Sequence, residues 1–372
     1  MRLTRLIIEN FRGFEQLELD LDQPVIVLVG INGSGKTTVL DAIVHCFVGT
    51  QPSPSERRAG TSKFDCEGLS GGRPFEVANR QLFGDLGKIP KSSDSVYVHY
   101  SVNRRATDET NAIPLPKNPF QDDGFLDPVS FGEFFRWFKS LEDFENQERL
   151  KDANYSDPQL AAVRTSVEAV LPGYHNPRVQ RSRAPHIEPA VFSVDKGEEQ
   201  LGFGQFSEGE RMLIALAADI ARRAALTGHD PPLEAPGVVL IDEIDLHLHP
   251  GWQREVLPRL TKTFPNIQFI TTTHSPIVVA SVPSESIRAL QDFKLVDAVK
   301  TQDRDPNAIL EELFGVSPRP DAIQKELREV AALIDQDKLD DAKLRLQALT
   351  EKLGEEDEDV HHLTSLIQLL AG

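Results

Sequence analysis

Gly30-Ile-Asn-Gly-Ser-Gly-Lys-Thr37 fits the phosphate-binding pattern G-x-x-x-x-G-K-[ST]. Its surroundings suit that chemistry, because Val25 to Val29 reads as a buried β-strand and Thr37 to Phe47 as the helix that should follow. Gly30, Gly33 and Gly35 remove side chains, so backbone N–H groups can turn inward around a phosphate at the helix N-terminus. Lys36 would reach the β- and γ-phosphates, and the Thr37 hydroxyl would ligate Mg²⁺. The candidate nucleotide-binding set in this stretch is Gly30, Asn32, Gly33, Ser34, Gly35, Lys36, Thr37 and Thr38. A Gly-rich turn with no ligand is the plainer alternative, and the flanking strand and helix weigh against it.

A second segment, some two hundred residues on, completes such a site. Val238-Val-Leu-Ile-Asp-Glu243 reads as an apolar strand ending in two carboxylates. Asp242 would hold Mg²⁺, and Glu243 is placed to orient or deprotonate the attacking water. A lone Asp-Glu is usually only a strand end, but the next strand, Gln268 to Thr272, runs into Thr273-His274-Ser275-Pro276. An imidazole at that place can donate a hydrogen bond to a γ-phosphate; standing alone, His274 would be an ordinary structural histidine. Glu243 and His274 are therefore the candidate catalytic residues, with ATP and Mg²⁺ as the implied cofactors.

Between these halves, Phe206-Ser-Glu-Gly-Glu-Arg211 opens a strong helical pattern, Met212 to Leu226. Ser207 as N-cap and Glu210 three residues on form a capping box, which by itself would be only a cap.

The phosphate loop, a Ser-x-Gly-[Gln/Glu] signature helix, the Asp-Glu strand and the later histidine together resemble the ATP-binding-cassette ATPases. Asn10-Phe-Arg-Gly-Phe14 and Asp242-Glu-Ile-Asp-Leu-His-Leu-His-Pro250 look more narrowly like the RecF/SMC-type soluble branch. The specific motifs cover roughly residues 1 to 50 and 190 to 290. The resemblance implies an α/β P-loop ABC-type ATPase head with a mostly helical insertion and a C-terminal helical extension. It implies that Ser207 and Gly209 contact the γ-phosphate bound by a second subunit, so that two chains sandwich two nucleotides head to tail. It also implies that Arg12 sits near the phosphates and that Asp245 to His249 cross the dimer interface. Glu208 departs from the usual glycine of the signature. Leu69-Ser-Gly-Gly-Arg73 matches that signature better letter for letter, but Pro74 follows and no helix is expected there to aim a dipole at a phosphate.

Composition agrees with an intracellular machine. The chain has 372 residues and 40% hydrophobic content, ample for a core, with two or three structural units as the prior. The sequence shows no secretory h-region and no apolar run near twenty residues, so no membrane span is expected. Cys46 and Cys66 are the only cysteines, which excludes a disulfide framework and fits a reducing cytoplasm; Cys46 reads as a core residue of the first helix. A net charge of −18 argues against coating nucleic acid. From Thr301 onward there are 17 Asp and Glu against 8 Lys and Arg, net −9, so the last fifth carries half of that excess. Arg57-Arg58, Arg104-Arg105 and the group Arg178, Arg181 and Arg183 read either as a local basic patch or as solvated arginines.

The expected organisation is an ATPase core at 1–50 and 190–300, an insertion at 51–189 with a strand and a helical subdomain, and an acidic helical region at 301–372. Residues 51 to 74 read as loop, Ser95 to Val102 as a strand, and Asn111 to Pro128 as another loop. Phe131 to Leu150 and Gln159 to Leu171 read as helices, and no apolar heptad persists long enough for a coiled-coil arm. Phe131, Phe134, Phe135, Trp137 and Phe138 form an aromatic face, either subdomain core or a partner or base-stacking surface. Ala308 to Phe314, Ala322 to Ile334, Asp340 to Leu353 and Val360 to Leu370 read as four terminal helices; their apolar stripes either cover each other and the ATPase lobe or dock another protein.

This ending, with Phe131 to Asn146 and Asp219 to Arg223, looks like the single-chain ATPases of bacterial anti-phage systems. Septu-type modules and related retron systems are similar in layout and pair such an ATPase with a separate HNH-type nuclease. Nucleic acid would then be met through the complex. No second active site is expected in this chain: Asp303-Arg-Asp305 leads into Pro306 and a helix, and Asp245, His247 and His249 read more simply as hydrogen-bonding than as metal ligands. A self-contained RecF-type DNA-repair ATPase is the alternative.

Overall fold

A computed structural model describes residues 1–48, 53–56, 62–78, 94–102, 131–181, 190–297, 300–317 and 319–370. Arg57-Arg58, Arg104-Arg105, Arg183 and the 111–128 loop lie outside the described residues. The chain divides into two compact units, Met1–Ile309 and Leu310–Gly372.

The first unit begins with β1 (Arg2–Phe11), β2 (Phe14–Asp20) and β3 (Val25–Val29), then α1 (Lys36–Val48). β4 (Lys63–Ser70), β5 (Arg73–Ala78) and β6 (Val96–Tyr100) precede the helices α2 (Phe131–Arg149) and α3 (Pro158–Val170). β7 (Tyr174–Gln180), β8 (Val191–Lys196) and β9 (Glu199–Gly202) lead into the long α4 (Glu208–Leu226). β10 (Gly237–Ile241), α5 (Pro250–Thr263), β11 (Ile267–Thr273), α6 (Pro276–Ala280), β12 (Ile287–Gln291) and β13 (Lys294–Val296) close it.

The central sheet has the order β13-β12-β3-β11-β10-β6, and its five long strands run parallel. β3, β10 and β11 are buried along their whole length, as expected of parallel strands covered on both faces. The parallel arrangement places the C-terminal ends of β3, β10 and β11 side by side, where open α/β sheets hold ligands. β6 pairs with β10 at the sheet edge, and Tyr100 at its end donates to buried Asp219 of α4 at 2.8 Å.

The 51–74 stretch departs from its reading as loop. Where described, it holds β4 and the start of β5, a hairpin that extends the antiparallel β1-β2 pair into the order β2-β1-β4-β5. Gly71 and Gly72 form the hairpin turn with positive φ, so no helix begins at the signature-like Leu69 to Arg73.

The aromatic face of α2 is core. Phe131, Phe134, Phe135 and Phe138 are buried, and Phe131 stacks on Phe203 at 3.6 Å between centroids, with Phe192 edge-on. Arg178 is paired with Asp195, and Arg181 with Glu142 and Asp143, so neither presents an unbalanced charge. Cys46 and Cys66 are both buried free thiols. No helix among the described residues is long and apolar enough to cross a membrane.

α7 (Pro306–Phe314) spans the division between the units, and α8 (Asp321–Asp335), α9 (Leu339–Leu353) and α10 (Glu358–Leu370) make up most of the second. Val330, Ile334, Leu346, Leu349, Val360 and Ile367 bury one another in a single cluster, so the stripes of α8, α9 and α10 cover each other.

Candidate functional site

The phosphate loop leaves β3 and enters α1 with its tip, Asn32 and Gly33, exposed and its base buried. Gly35 has φ +104, and a Cβ there would stand 2.6 Å from the Phe14 ring and 2.9 Å from the Phe293 ring, so only glycine lets the loop lie against both aromatics. Lys36 is buried and donates from Nζ to the carbonyls of Gly30 at 2.9 Å and Ile31 at 3.0 Å. Burial lowers its ammonium from the ordinary value, against the pull of Asp242 and Glu243. Ser34 is buried and its Oγ has no hydrogen-bond partner, a polar atom left unsatisfied inside the loop.

Asp242 is buried at the end of β10. Its carboxylate accepts from Thr272 Oγ1 at 2.5 Å and from Thr37 Oγ1 at 2.9 Å. The Thr37 and Asp242 oxygens thus lie about as far apart as two adjacent oxygens of an octahedral ion with bonds of about 2.1 Å, so this pair fits Mg²⁺. Among the described residues no group of three or more His, Cys, Asp or Glu could hold a metal.

Glu243 adopts a left-handed backbone, φ +50, which costs about 1–3 kcal/mol in a residue with a side chain. Three consecutive N–H groups enforce it: Asp242 to Tyr100 O, Glu243 to Thr272 Oγ1 and Ile244 to Thr272 O, at 2.8, 2.7 and 3.0 Å. The turn directs Glu243 into a cleft of about 210 Å³ that it shares with Asn32, Gly33, Gly35, Lys36, Thr37 and Thr38, with Asp242 and with His274. His274 is half-buried; burial first and the Lys36 ammonium second push its imidazole below the ordinary value, so it is held neutral near pH 7.

The remaining motif residues stand elsewhere. Gly30 and Ser34 belong to the loop without lining the cleft. Arg12, φ +48, is turned onto Asp41 at 2.6 Å and Glu56 at 2.7 Å, and it holds the Glu56 carboxyl down at about 2. Ser207 and Gly209 open α4: the Ser207 side chain accepts from Glu210 N at 3.3 Å, and Glu210 accepts from Ser207 N at 2.7 Å, the reciprocal cap read from sequence. Asp245 accepts from Thr273 Oγ1, and His249 Nδ1 accepts from Gly251 N as the cap of α5, so both are engaged in hydrogen bonds. Asp303 lies in a turn and Asp305 accepts from Asn307 N where α7 starts.

Phe293 lines the cleft and was not singled out by any motif. It sits in the β12-β13 turn with φ +59, packed edge-on to Phe14 at 5.2 Å. Nothing in its neighbourhood of the sequence reports that contact; only the absence of side chains at Gly13 and Gly35, which its ring occupies, hints at it.

Comparison with known proteins agrees with this geometry. The chain is similar to "Retron Ec83 probable ATPase" of Escherichia coli, 29% identical over 98% of this chain and 86% of that protein. It is similar to "Septu protein PtuA" of Bacillus thuringiensis, 26% identical over 77% of this chain and 75% of that protein. Among solved structures, an SMC head bound to the C-winged helix domain of ScpA shares the fold, with a TM-score of 0.50 and 16% identity over 81% of this chain and 98% of that one. A model described as "AAA domain" matches residues 5–155. A second covers residues 82–280, more than half of the chain, and with it the chain belongs to the family described as "AAA domain, putative AbiEii toxin, Type IV TA system", as an ATPase of the RecF/SMC-like branch.

Proposed function

We propose that this chain binds and hydrolyses ATP with Mg²⁺, dimerises head to tail around the nucleotide, and thereby gates a separate HNH-type nuclease in anti-phage defence. The observation that carries the proposal is the convergence of Lys36, Thr37, Asp242, Glu243 and His274 in one cleft at the C-terminal ends of three parallel strands.

In this reading the loop N–H groups and Lys36 bind the β- and γ-phosphates, exchanging the ammonium's bonds to Gly30 and Ile31 for phosphate oxygens. Thr37 and Asp242 hold Mg²⁺, which when bound neutralises charge on the phosphate oxygens. Glu243 takes the proton of the water that attacks the γ-phosphorus, and the bond to the β-phosphate oxygen breaks. Neutral His274 donates to the γ-phosphate, and Ser207 and Gly209 approach it from the second copy. Residues 1–50 and 190–300 act as the ATPase core and 301–372 as the acidic helical region; of the 51–189 insertion, β4, β5 and β6 join the core's sheets, which leaves α2 and α3 as its helical part. Relatives named as retron and Septu proteins support a place in defence, and the motif set and the buried free cysteines support a cytoplasmic, homo-oligomeric machine.

Phosphate release by purified protein, with Mg²⁺ and with EDTA, tests the proposal. Glu243→Gln should keep ATP binding while turnover falls about 10²-fold or more, the scale of losing a general base. Unchanged turnover in that variant removes Glu243 from the mechanism. DNA cleavage by the isolated chain would overturn the assignment of nuclease chemistry to a partner, and a basic DNA track with no nuclease partner would favour the RecF-type repair reading.

A further inference from the structure

Glu210 does more than a capping box requires. Its Oε2 accepts from the Ser207 N–H, which completes the cap, and a carboxylate at a helix N-terminus is already well placed against the dipole. Oε1 is nonetheless taken by two donors from the β7-β8 pair: Lys196 Nζ at 2.8 Å and the Tyr174 hydroxyl. Tyr174 and Lys196 are direct cross-strand partners at one end of the β7-β8 ladder, and the Lys196 ammonium lies 5.0 Å over the Tyr174 ring. The Tyr174 ring in turn packs against buried Phe206, the residue before the cap, with 6.0 Å between centroids. Burial works to raise the Glu210 carboxyl, and Lys196, Tyr174 and Ser207 overcome it and hold it down at about 2.

We propose that Lys196 and Tyr174 are positioning residues for the signature serine: through Glu210 they tie the Ser207 backbone to the β7-β8-β9 sheet, so the placement of that sheet sets how Ser207 is presented to a nucleotide held by a second copy of the chain. The Ser207 hydroxyl accepts from Glu210 N, which leaves its proton to donate outward, and a tilt of the cap would misdirect it. The inference rests on the proposed ATP-sandwiched dimer, and its test separates the two.

The experiment is ATP-dependent self-association, followed by light scattering on the full chain carrying Glu243→Gln, with the ATP affinity of the monomer measured in parallel. Lys196→Met should raise the protein concentration needed for association roughly three- to tenfold, the range for a half-exposed charge-assisted hydrogen bond. Monomer affinity for ATP should stay unchanged, which a merely misfolded protein could not achieve. Lys196→Arg should restore association, and Tyr174→Phe, which removes only the hydroxyl, should give a smaller loss and keeps the question open to test if Lys196→Met fails to fold. Association of both Lys196→Met and Tyr174→Phe at parental concentrations, while Ser207→Arg abolishes it, overturns the inference alone. Persistence of association in Ser207→Arg removes Ser207 from the dimer interface, and absence of ATP-dependent association in the Glu243→Gln parent overturns the dimer reading beneath it.

Discussion

A Cβ on Gly209 would stand 2.5 Å from the carbonyl oxygen of His247, so the first turn of α4 and the loop that follows Glu243 touch backbone to backbone within one chain. His247 itself holds φ +62, and its imidazole lies 3.4 Å from Glu208. Glycine is therefore required at 209 before any second copy is considered.

Gly209→Ala should destabilise the nucleotide-free protein by about 1–3 kcal/mol, the usual cost of overpacking against a fixed backbone. Thermal melting without ATP is the measurement, and an unchanged midpoint would show that the loop at His247 yields freely.

Ser207→Arg should leave the ATP affinity of the monomer nearly intact and abolish ATP-dependent association on the Glu243→Gln background. Ser70→Arg is the control, since Ser70 ends β4 at a hairpin turn with no helix dipole behind it. If the control variant loses association and the Ser207 variant keeps it, the signature lies at the hairpin.

His274 should titrate below its ordinary value, near 6.5, because burial and Lys36 disfavour the imidazolium. The unfolded chain then takes up this proton at higher pH than the folded one. The stability from the neutral side chain is present above about 6.5 and is lost as pH falls from there through the folded value. An NMR titration of the imidazole checks it. Lys36→Met should move the midpoint upward, and a midpoint at or above 6.5 in the parent would contradict the assignment.

How far the sequence carried differs from element to element. Val25–Val29 was legible end to end and the terminal helices to within one or two residues, because buried runs and 3.6-residue stripes are local signals. The motif residues of the cleft were legible too, since each belongs to a strand end or a loop of fixed spacing. β4 was hidden by its own glycine: Gly68 sits inside the strand because a Cβ there would meet Arg2 O at 2.5 Å, a close approach to β1 that reads in sequence as a breaker. β7 was hidden by Asn176 and Pro177, which interrupt its register against β8. The meeting of Gly209 with His247 and of Gly35 with Phe293 joins residues far apart in the chain, and no spacing rule reports it.

A chain ending at Ser317 should still hydrolyse ATP, since the cleft lies wholly in the first unit and the helices α8, α9 and α10 draw their core from their own residues. If those helices dock the nuclease, the shortened protein should lose co-purification with a co-expressed neighbouring nuclease and lose protection of cells against phage. Retained nuclease binding by the folded, shortened protein would move the docking site to residues 131–171.

The pairing of β3 bears on how the protein is born. Val25 to Val29 aligns with Phe269 to Thr273 on one side and with Ile287 to Ala289 on the other, so both of its neighbours are translated about 240 residues or more after it. At roughly 5–20 residues per second, this wholly apolar strand waits about 12–50 s on the ribosome for a partner. The antiparallel β1-β2 ribbon can close early, but β3, which carries the phosphate loop, gains its sheet neighbours only once about three-quarters of the chain has been made, and chaperone occupancy of nascent chains should peak before β11 emerges.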